Sequence, residues 1–178
     1  MLDPALYDVV RLSCAALLIA GAWHKLSAPA EFAEVVAGHA VAPRRFAKPL
    51  ARIVPLVEAA AAAAVIILRG PGLALSAALL GGYALVLSVN ILRGRAHVDC
   101  GCHAFGRRVV TLQWPMVARN MALAAVAAVA ALVGRSTRPM NPLDVLTIVA
   151  SLAVLTLLYA SFDELLALNS KSEAWRQG

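Results

Sequence analysis

The chain has 178 residues, of which 61% are hydrophobic and 15% are charged, and its formal net charge is +6. These values lie far from the averages of soluble globular domains, so they exclude an ordinary soluble protein and indicate a membrane protein. The length corresponds to one domain, and we expect residues 1–178 to form a single polytopic membrane domain. The net positive charge suits loops that lie on anionic membrane lipid, and no motif indicates nucleic-acid binding.

Five apolar runs are each long enough to cross a hydrocarbon core of about 30 Å, which takes about 20 helical residues. The predicted spans are residues 8–26, 50–68, 72–92, 115–133 and 143–162. Each must be a helix, because backbone groups without partners are costly in lipid. The predicted fold is therefore an all-α membrane protein, in which four transmembrane helices form a bundle and a fifth transmembrane helix packs outside it.

The first span is expected to be retained, because Asp3 and Asp8 make the N-terminus acidic and no convincing cleavage site follows the apolar run. The connection after it is predicted to contain a short amphipathic helix around "EFAEVVAGHA". Its apolar side chains should face lipid or the bundle, and its two glutamates should face water. The apolar set is Phe32, Val35 and Val36, and the acidic set is Glu31 and Glu34.

Five spans place the two termini on opposite sides of the membrane. We name as the near side the one that carries the first connection, the third connection and the C-terminal tail. Twelve of the 16 Lys and Arg residues lie on the near side or at its helix ends, and four lie on the far side (Arg11, Arg69, Arg135 and Arg138). The positive-inside rule then places the near side in the cytoplasm, and we expect a multi-pass protein of the plasma membrane.

Several polar residues lie in or beside the predicted spans at their near ends. They are His24, Lys25, Glu58, Asn90, Arg119 and Asn120. A carboxylate without a partner is expensive in lipid, so such residues usually face the bundle interior and pair with one another. We expect Glu58 to point into the bundle and to pair with Lys25, His24 or Arg119. Such a pair could be a structural ion pair that fixes helix packing, or it could relay a proton to a site above it.

The third connection begins "RGRAHVDCGCHAFGRR" and carries two of the three cysteines, separated by one glycine. Cys100 and Cys102 are flanked by Asp99, by two histidines and by arginines that include Arg93. Cationic neighbours lower the pKa of a thiol, and the thiolate is the nucleophile in disulfide exchange. A small strained ring closed by two such cysteines would be an oxidising, exchangeable disulfide. This reading predicts Cys100 and Cys102 as the catalytic pair.

Two other readings of this connection stay open. Cys100 and Cys102 together with His97 and His103 offer two sulfur and two imidazole ligands, which could hold a metal or handle haem. A spacing of one residue is shorter than the usual spacing in zinc sites, which weakens this alternative. The third reading is a structural pair of cysteines in a non-catalytic assembly subunit. Cys14, in "RLSCAALL", is interpreted as a small apolar residue of the first span that lies too far away to bond either of the other two.

The segment "GAWHKLSAPAEFAEVVAGHAVAPRRFAKPLARIVPLVEAAAAAAVI" and the later "NILRGRAHVDCGCHAFG" and "ARNMALAA" resemble the MauE family of DoxX-like membrane proteins. The resemblance covers roughly residues 15–125, and the Cys-Gly-Cys core is its most specific part. One departure is the His103-Ala104 pair, which stands before the Phe105-Gly106 that the family pattern places directly after the second cysteine.

The resemblance implies an integral membrane protein of thiol–disulfide redox chemistry, which supports disulfide formation or maturation of an exported protein in methylamine utilisation. It implies a thioredoxin-like partner of the MauD type, and it leaves a quinone open as a cofactor, although the sequence itself names none. Whether the chain is an enzyme stays open, with membrane thiol–disulfide oxidoreductase as the activity considered. Exported proteins form disulfides outside the cytoplasm, whereas the charge count places the cysteines inside, so the two indications conflict.

Overall fold

The computed structural model describes residues 1–40, 43–94 and 112–177, except for the side chains of residues 167 and 169–177. The described part is helical and contains no strand. Its α-helices are α1 (Pro4–Ser27), α2 (Pro29–His39), α3 (Ala47–Leu68), α4 (Gly70–Leu92), α5 (Trp114–Val133) and α6 (Pro142–Gln177). A short 3₁₀ helix, Arg44–Phe46, leads directly into α3. Each of the five predicted spans falls within one of the long helices.

The helix ends carry local signals that satisfy backbone groups left open there. The Asp3 side chain accepts a hydrogen bond from the Ala5 amide (2.9 Å) at the start of α1. At the start of α6, Asn141 and Asp144 each accept a hydrogen bond from the other's backbone amide, at 2.9 and 2.8 Å. This reciprocal arrangement satisfies two amides at once and fixes the first residues of the helix.

Helices α1, α3, α4 and α5 form a closed ring of four, in which each helix packs against its neighbours in that order and α5 returns to α1. Small side chains fill much of the interior, including Ala61, Ala62, Ala127 and Ala130, which are all at most 1% exposed. Small residues let membrane helices approach closely. Helix α6 packs mainly against α1. In the most apolar stretch of α6 only 6% of the residues are buried, whereas the share is 50% in α1. Helix α6 therefore lies outside the ring.

All five long helices are long and apolar enough to cross a membrane. Their outer surfaces carry large exposed apolar side chains, such as Ile67 (75% exposed), Leu132 (87%) and Leu157 (68%). Such a surface suits lipid and is too apolar for water. The prediction of an all-α membrane protein with a four-helix bundle and a fifth spanning helix is therefore confirmed.

The connection between the first two spans contains the helix that its pattern predicts. Helix α2 has exposed glutamates and half-buried Phe32, Val35 and Val36, and it packs on α3. It ends where Ala40 takes a left-handed conformation (φ 45°).

Ion pairs tie the far side of the bundle together. Arg138, in the connection between α5 and α6, contacts Asp3 (3.1 Å) and Asp144 (2.8 Å). Arg138 donates hydrogen bonds to the carboxylates of Asp144 and Asp3, and these bonds raise the pKa of Arg138 above its ordinary value. The backbone of Leu2 also exchanges hydrogen bonds with Gly134 and Ser136. The N-terminus is thus fastened to the connection that leads into α6.

Candidate functional site

A buried ion pair joins α1 to α3 in the near half of the bundle. Lys25 lies in the last turn of α1, and Glu58 lies eleven residues after the start of α3. The Lys25 Nζ donates to Glu58 Oε1 at 2.6 Å, and the two residues are 4% and 2% exposed. Lys25 is thus the partner that the structure gives to Glu58, out of the three that the sequence suggested. The long apolar stem of lysine lets the charge lie below the residue's own turn.

Tyr83, on α4, completes this cluster. Its hydroxyl donates to the same Glu58 Oε1 at 2.5 Å. The Lys25 Nζ lies 5.3 Å from the centre of the Tyr83 ring and 5.5 Å from that of Phe32, so two aromatic faces flank the ammonium group. Tyr83 was not identified from the sequence. Its position as a single polar aromatic residue within the apolar run "LLGGYALVL" is the signal that could have identified it.

A small cavity opens beside the carboxylate. It has a volume of about 40 Å³, and its polar lining consists of Lys25, Glu58, Tyr83, Asn120 and Tyr159. Within the described part of the chain, Glu58 Oε2 accepts no hydrogen bond. A polar cavity of this size can hold a water molecule, which needs only about 10–15 Å³. The cluster therefore arranges a carboxylate, an ammonium group and a phenol around a space large enough for a water molecule.

Gly21 on α1 provides part of the room for this cluster. A Cβ atom at that position would lie 3.4 Å from Lys25 Nζ and 3.6 Å from Glu58 Oε1. Any longer side chain would extend into the ion pair. The sequence "IAGAWHK" therefore places a glycine one turn before the lysine, where the carboxylate of α3 must approach.

Arg119, the third partner considered for Glu58, has a different carboxylate. Its guanidinium pairs with Asp163 of α6, with both side chains largely buried. It also lies over the rings of Tyr159 (4.6 Å) and Phe162 (5.7 Å). This interaction fastens α6 to α5 in the near half of the bundle. Asp163 was not identified from the sequence, although it is an acidic residue that directly follows an apolar run in "LLYASFDELL".

The remaining predicted supporting residues are only partly brought together. Asn90 and Asn120 are buried, and each donates through Nδ2 to the carbonyl four residues earlier at 2.9 Å. Asn120 lines the cavity and Asn90 does not. His24 is half-buried and does not line the cavity, and Arg93 is exposed at the end of α4. The structure thus assembles Lys25, Glu58 and Asn120, together with the unpredicted Tyr83.

The Cys-Gly-Cys segment lies outside the described residues, as do its neighbours. This holds for His97, Asp99, Cys100, Cys102 and His103. The described residues on either side, up to 94 and from 112, follow the near end of α4 and precede that of α5. Within residues 1–40, 43–94 and 112–177, no group of three or more His, Cys, Asp or Glu side chains could hold a metal ion. Cys14 is a free thiol, 4% exposed, that packs among core residues such as Val65 and Leu73.

Comparison with known proteins gives a consistent set of relatives. The chain is 35% identical over 128 residues to the methylamine utilization protein MauE of Paracoccus denitrificans. The aligned region covers 71% of this chain and 68% of the relative. The chain is 36% identical over 126 residues to the protein of that name from Paracoccus versutus (70% of this chain, 67% of the relative). A third, from Methylophilus methylotrophus, is 32% identical over 126 residues (70% and 66%).

No solved structure gives a significant match to this chain. The family model described as methylamine utilisation protein MauE matches residues 3–133, which include the four-helix bundle, the buried cluster and the Cys-Gly-Cys connection. Helix α6 begins after the matched region. On this match, and on the identity with the relatives above, this multi-pass membrane protein belongs to the MauE family.

Proposed function

We propose that the chain is a thiol–disulfide redox protein of the plasma membrane, with Cys100 and Cys102 as the exchanging pair. The observation that carries the proposal is the Cys-Gly-Cys sequence in the connection between α4 and α5, among histidines and arginines that favour a thiolate. The relatives are named for methylamine utilisation. We extend that role to this chain as support for the maturation of an exported protein, with a thioredoxin-like partner.

The proposed disulfide exchange needs no reagent other than the two thiols of the partner. A thiolate of the partner attacks one sulfur of the Cys100–Cys102 disulfide, and the sulfur–sulfur bond breaks to leave one thiolate on this chain. The partner's second thiol then attacks the mixed disulfide. The partner leaves as a disulfide, and Cys100 and Cys102 remain as two thiols. The two electrons have moved to this chain, together with protons taken up by its sulfurs.

The buried cluster supports this chemistry because thiol exchange moves protons as well as electrons. Glu58 has one oxygen engaged by Lys25 and Tyr83 and a second oxygen that accepts no hydrogen bond among the described residues. The cavity beside it lies in the near half of the bundle, and the near ends of α4 and α5 lead to the cysteine connection. In this proposal Glu58 is a positioning residue that holds Lys25 and takes up or releases a proton.

Renewed oxidation of two thiols requires a two-electron acceptor, which a membrane quinone would supply when bound. The described residues fit such a group. An apolar groove of about 280 Å³ lies between α1, α5 and α6, and its lining includes Leu17, Leu123 and Leu155. Arg119 and Tyr159 lie at its near end, and Tyr159 also lines the Glu58 cavity. These residues would exclude water from a flat apolar ring and keep it close to the buried carboxylate.

The test is a count of reactive thiols in the purified full-length protein, in a Cys14→Ala background. We expect two thiols to be alkylated after reduction and none after oxidation, and both to disappear in the Cys100→Ser/Cys102→Ser variant. A single Cys→Ser variant should trap a mixed disulfide with a thioredoxin-like protein. Labelling of intact cells with a membrane-impermeant thiol reagent identifies the side that carries the pair.

Two results would contradict the proposal. A metal bound in stoichiometric amount and lost in the double variant would favour the ligand set His97, Cys100, Cys102 and His103. Unchanged maturation of partner proteins in the double variant would leave only an assembly role.

A further inference from the structure

A basic cleft lies on the near side, between α2 and the segment that runs from the 3₁₀ helix into α3. Its volume is about 640 Å³. The cleft is lined by Arg44, Arg45, Lys48 and Arg52, and Glu34 is the one acidic residue in its described lining. The wall from α2 is otherwise made of small residues, Pro29, Ala30, Ala33 and Ala37. Short side chains on this wall keep the cleft open in front of the cations.

Among the residues that the structure describes, the positive charge of the cleft is largely uncompensated. Glu34 pairs with Arg44 at 3.2 Å, and both side chains are highly exposed, at 74% and 82%. Arg45, Lys48 and Arg52 have no ion pair with any residue that the structure describes, and Arg45 instead lies over the Phe46 ring at 4.9 Å. Three cations that converge on one concave surface attract an anion.

The same helical segment presents apolar side chains directly below the cations. Lys48, Arg52 and Leu56 are spaced four residues apart and therefore lie along one face of α3. Leu56 (59% exposed) and its neighbour Ile53 (53%) are open on that face, within a segment that is apolar enough to cross a membrane. The cations thus lie one turn above a lipid-facing apolar surface.

We propose that this cleft binds the phosphate headgroup of an anionic phospholipid, whose acyl chains lie along Ile53 and Leu56. The cations supply the charge complementarity, and the apolar surface below them distinguishes a lipid from a soluble phosphate. A basic pocket between helices at the membrane boundary is suited to such a headgroup. Helix α2 forms the second wall, so the lipid lies between the amphipathic helix and the bundle.

The test is native mass spectrometry of the full chain, purified in detergent with an equimolar mixture of palmitoyl-oleoyl phosphatidylglycerol and palmitoyl-oleoyl phosphatidylcholine. We expect the wild type to retain phosphatidylglycerol in clear excess. The Lys48→Gln/Arg52→Gln variant should lose about tenfold or more in affinity for it, given the contribution of each cation near an anionic surface. Near-unchanged retention of phosphatidylcholine in this variant would show that the protein remains folded.

The matched control is Arg69→Gln/Arg93→Gln, which removes the same charge from exposed positions outside the cleft. This variant should retain phosphatidylglycerol like the wild type. An equal loss in both double variants would reduce the effect to general surface charge and overturn the proposal. Displacement of phosphatidylglycerol by millimolar inorganic phosphate or by an acidic peptide would also overturn it, because the occupant would then be a soluble anion or a protein.

Discussion

The ammonium group of Lys25 and the carboxylate of Glu58 form a buried ion pair at 2.6 Å that joins the end of α1 to the middle of α3. Removing two charges from water costs several kcal/mol for each ion, and their attraction offsets this cost only when further hydrogen bonds complete the geometry. Tyr83 provides one of these bonds from a third helix. The cluster therefore links α1, α3 and α4 through a single carboxylate oxygen, and a change to any of the three residues should have a measurable cost.

Glu58→Gln should lower the free energy of unfolding by about 3–5 kcal/mol, because it leaves the Lys25 ammonium buried without its counter-charge. Lys25→Met should have a similar cost, since it strands the carboxylate. The double variant removes both charges and should recover most of the loss. Reversible unfolding in mixed micelles at neutral pH measures all three.

The exposed pair Glu34–Arg44 provides the control for this prediction. Glu34→Gln should change the free energy of unfolding by no more than about 1 kcal/mol, as is usual for surface ion pairs. If Glu58→Gln were as mild as Glu34→Gln, the buried pair would have no structural importance and its proposed part in proton movement would lose its basis.

Tyr83→Phe should cost about 1.5–3 kcal/mol, which is the usual range for a hydrogen bond to a charged group. The ring stays in place beside Lys25, so the change isolates the hydroxyl that donates to Glu58. Ser88→Ala on the same helix is the comparison, because the Ser88 hydroxyl donates only to the Ala84 carbonyl (2.7 Å) and should contribute less than about 1 kcal/mol. Equal losses in the two variants, measured by the same unfolding experiment, would argue against a special bond to the carboxylate.

The fold could be predicted because the membrane leaves few choices to an apolar chain. Runs of about 20 apolar residues must be helical in lipid, and the five long helices contain the five predicted runs. The inward position of Glu58 follows from the same cost, because a carboxylate avoids the lipid-facing surface. The amphipathic helix α2 could also be predicted, because its glutamates alternate with Phe32, Val35 and Val36.

The choice of partners could not be predicted, because it depends on how each helix is rotated about its axis. Arg119 and Lys25 were both reasonable partners for Glu58, but Arg119 faces α6 and meets Asp163 there. Tyr83 was missed because an isolated tyrosine in an apolar run looks like core packing until a carboxylate is found beside its hydroxyl. The role of Cys100 and Cys102 stays a prediction from their spacing and from the family.

Asp163→Asn should loosen the attachment of α6 to the bundle, because the charged partner of the largely buried Arg119 is lost. Leu166 and Phe162 of α6 pack into an apolar cluster with α4 and α5, and this ion pair is the polar contact that fastens the same part of the helix. Hydrogen exchange followed by mass spectrometry in nanodiscs should show faster exchange in residues 142–166, with α1 and α3 unchanged.

Arg138→Gln, which breaks the more exposed pairs with Asp3 and Asp144, should accelerate exchange less and only at the first turns of α6. Slower or unchanged exchange in Asp163→Asn would show that α6 is held by apolar packing alone.

Gly72→Ala should disrupt the tight turn between α3 and α4. A Cβ atom at this position would lie 2.3 Å from the Val65 amide nitrogen and 2.4 Å from the Ala64 carbonyl, and neither backbone atom can move without opening the turn. We expect a loss of about 1–3 kcal/mol or more in the free energy of unfolding, as for other overpacked sites.

Gly82→Ala on the same helix is the matched control, because no atom lies within 4 Å of its added Cβ. Replacing glycine by alanine in a helix interior should there stabilise the protein by about 0.5–1 kcal/mol. The two substitutions add the same methyl group to α4, so opposite signs in one unfolding experiment would show that close backbone contact between α3 and α4 decides the outcome. Equal signs would mean that the turn tolerates a side chain and that this contact does not limit how closely the two helices pack.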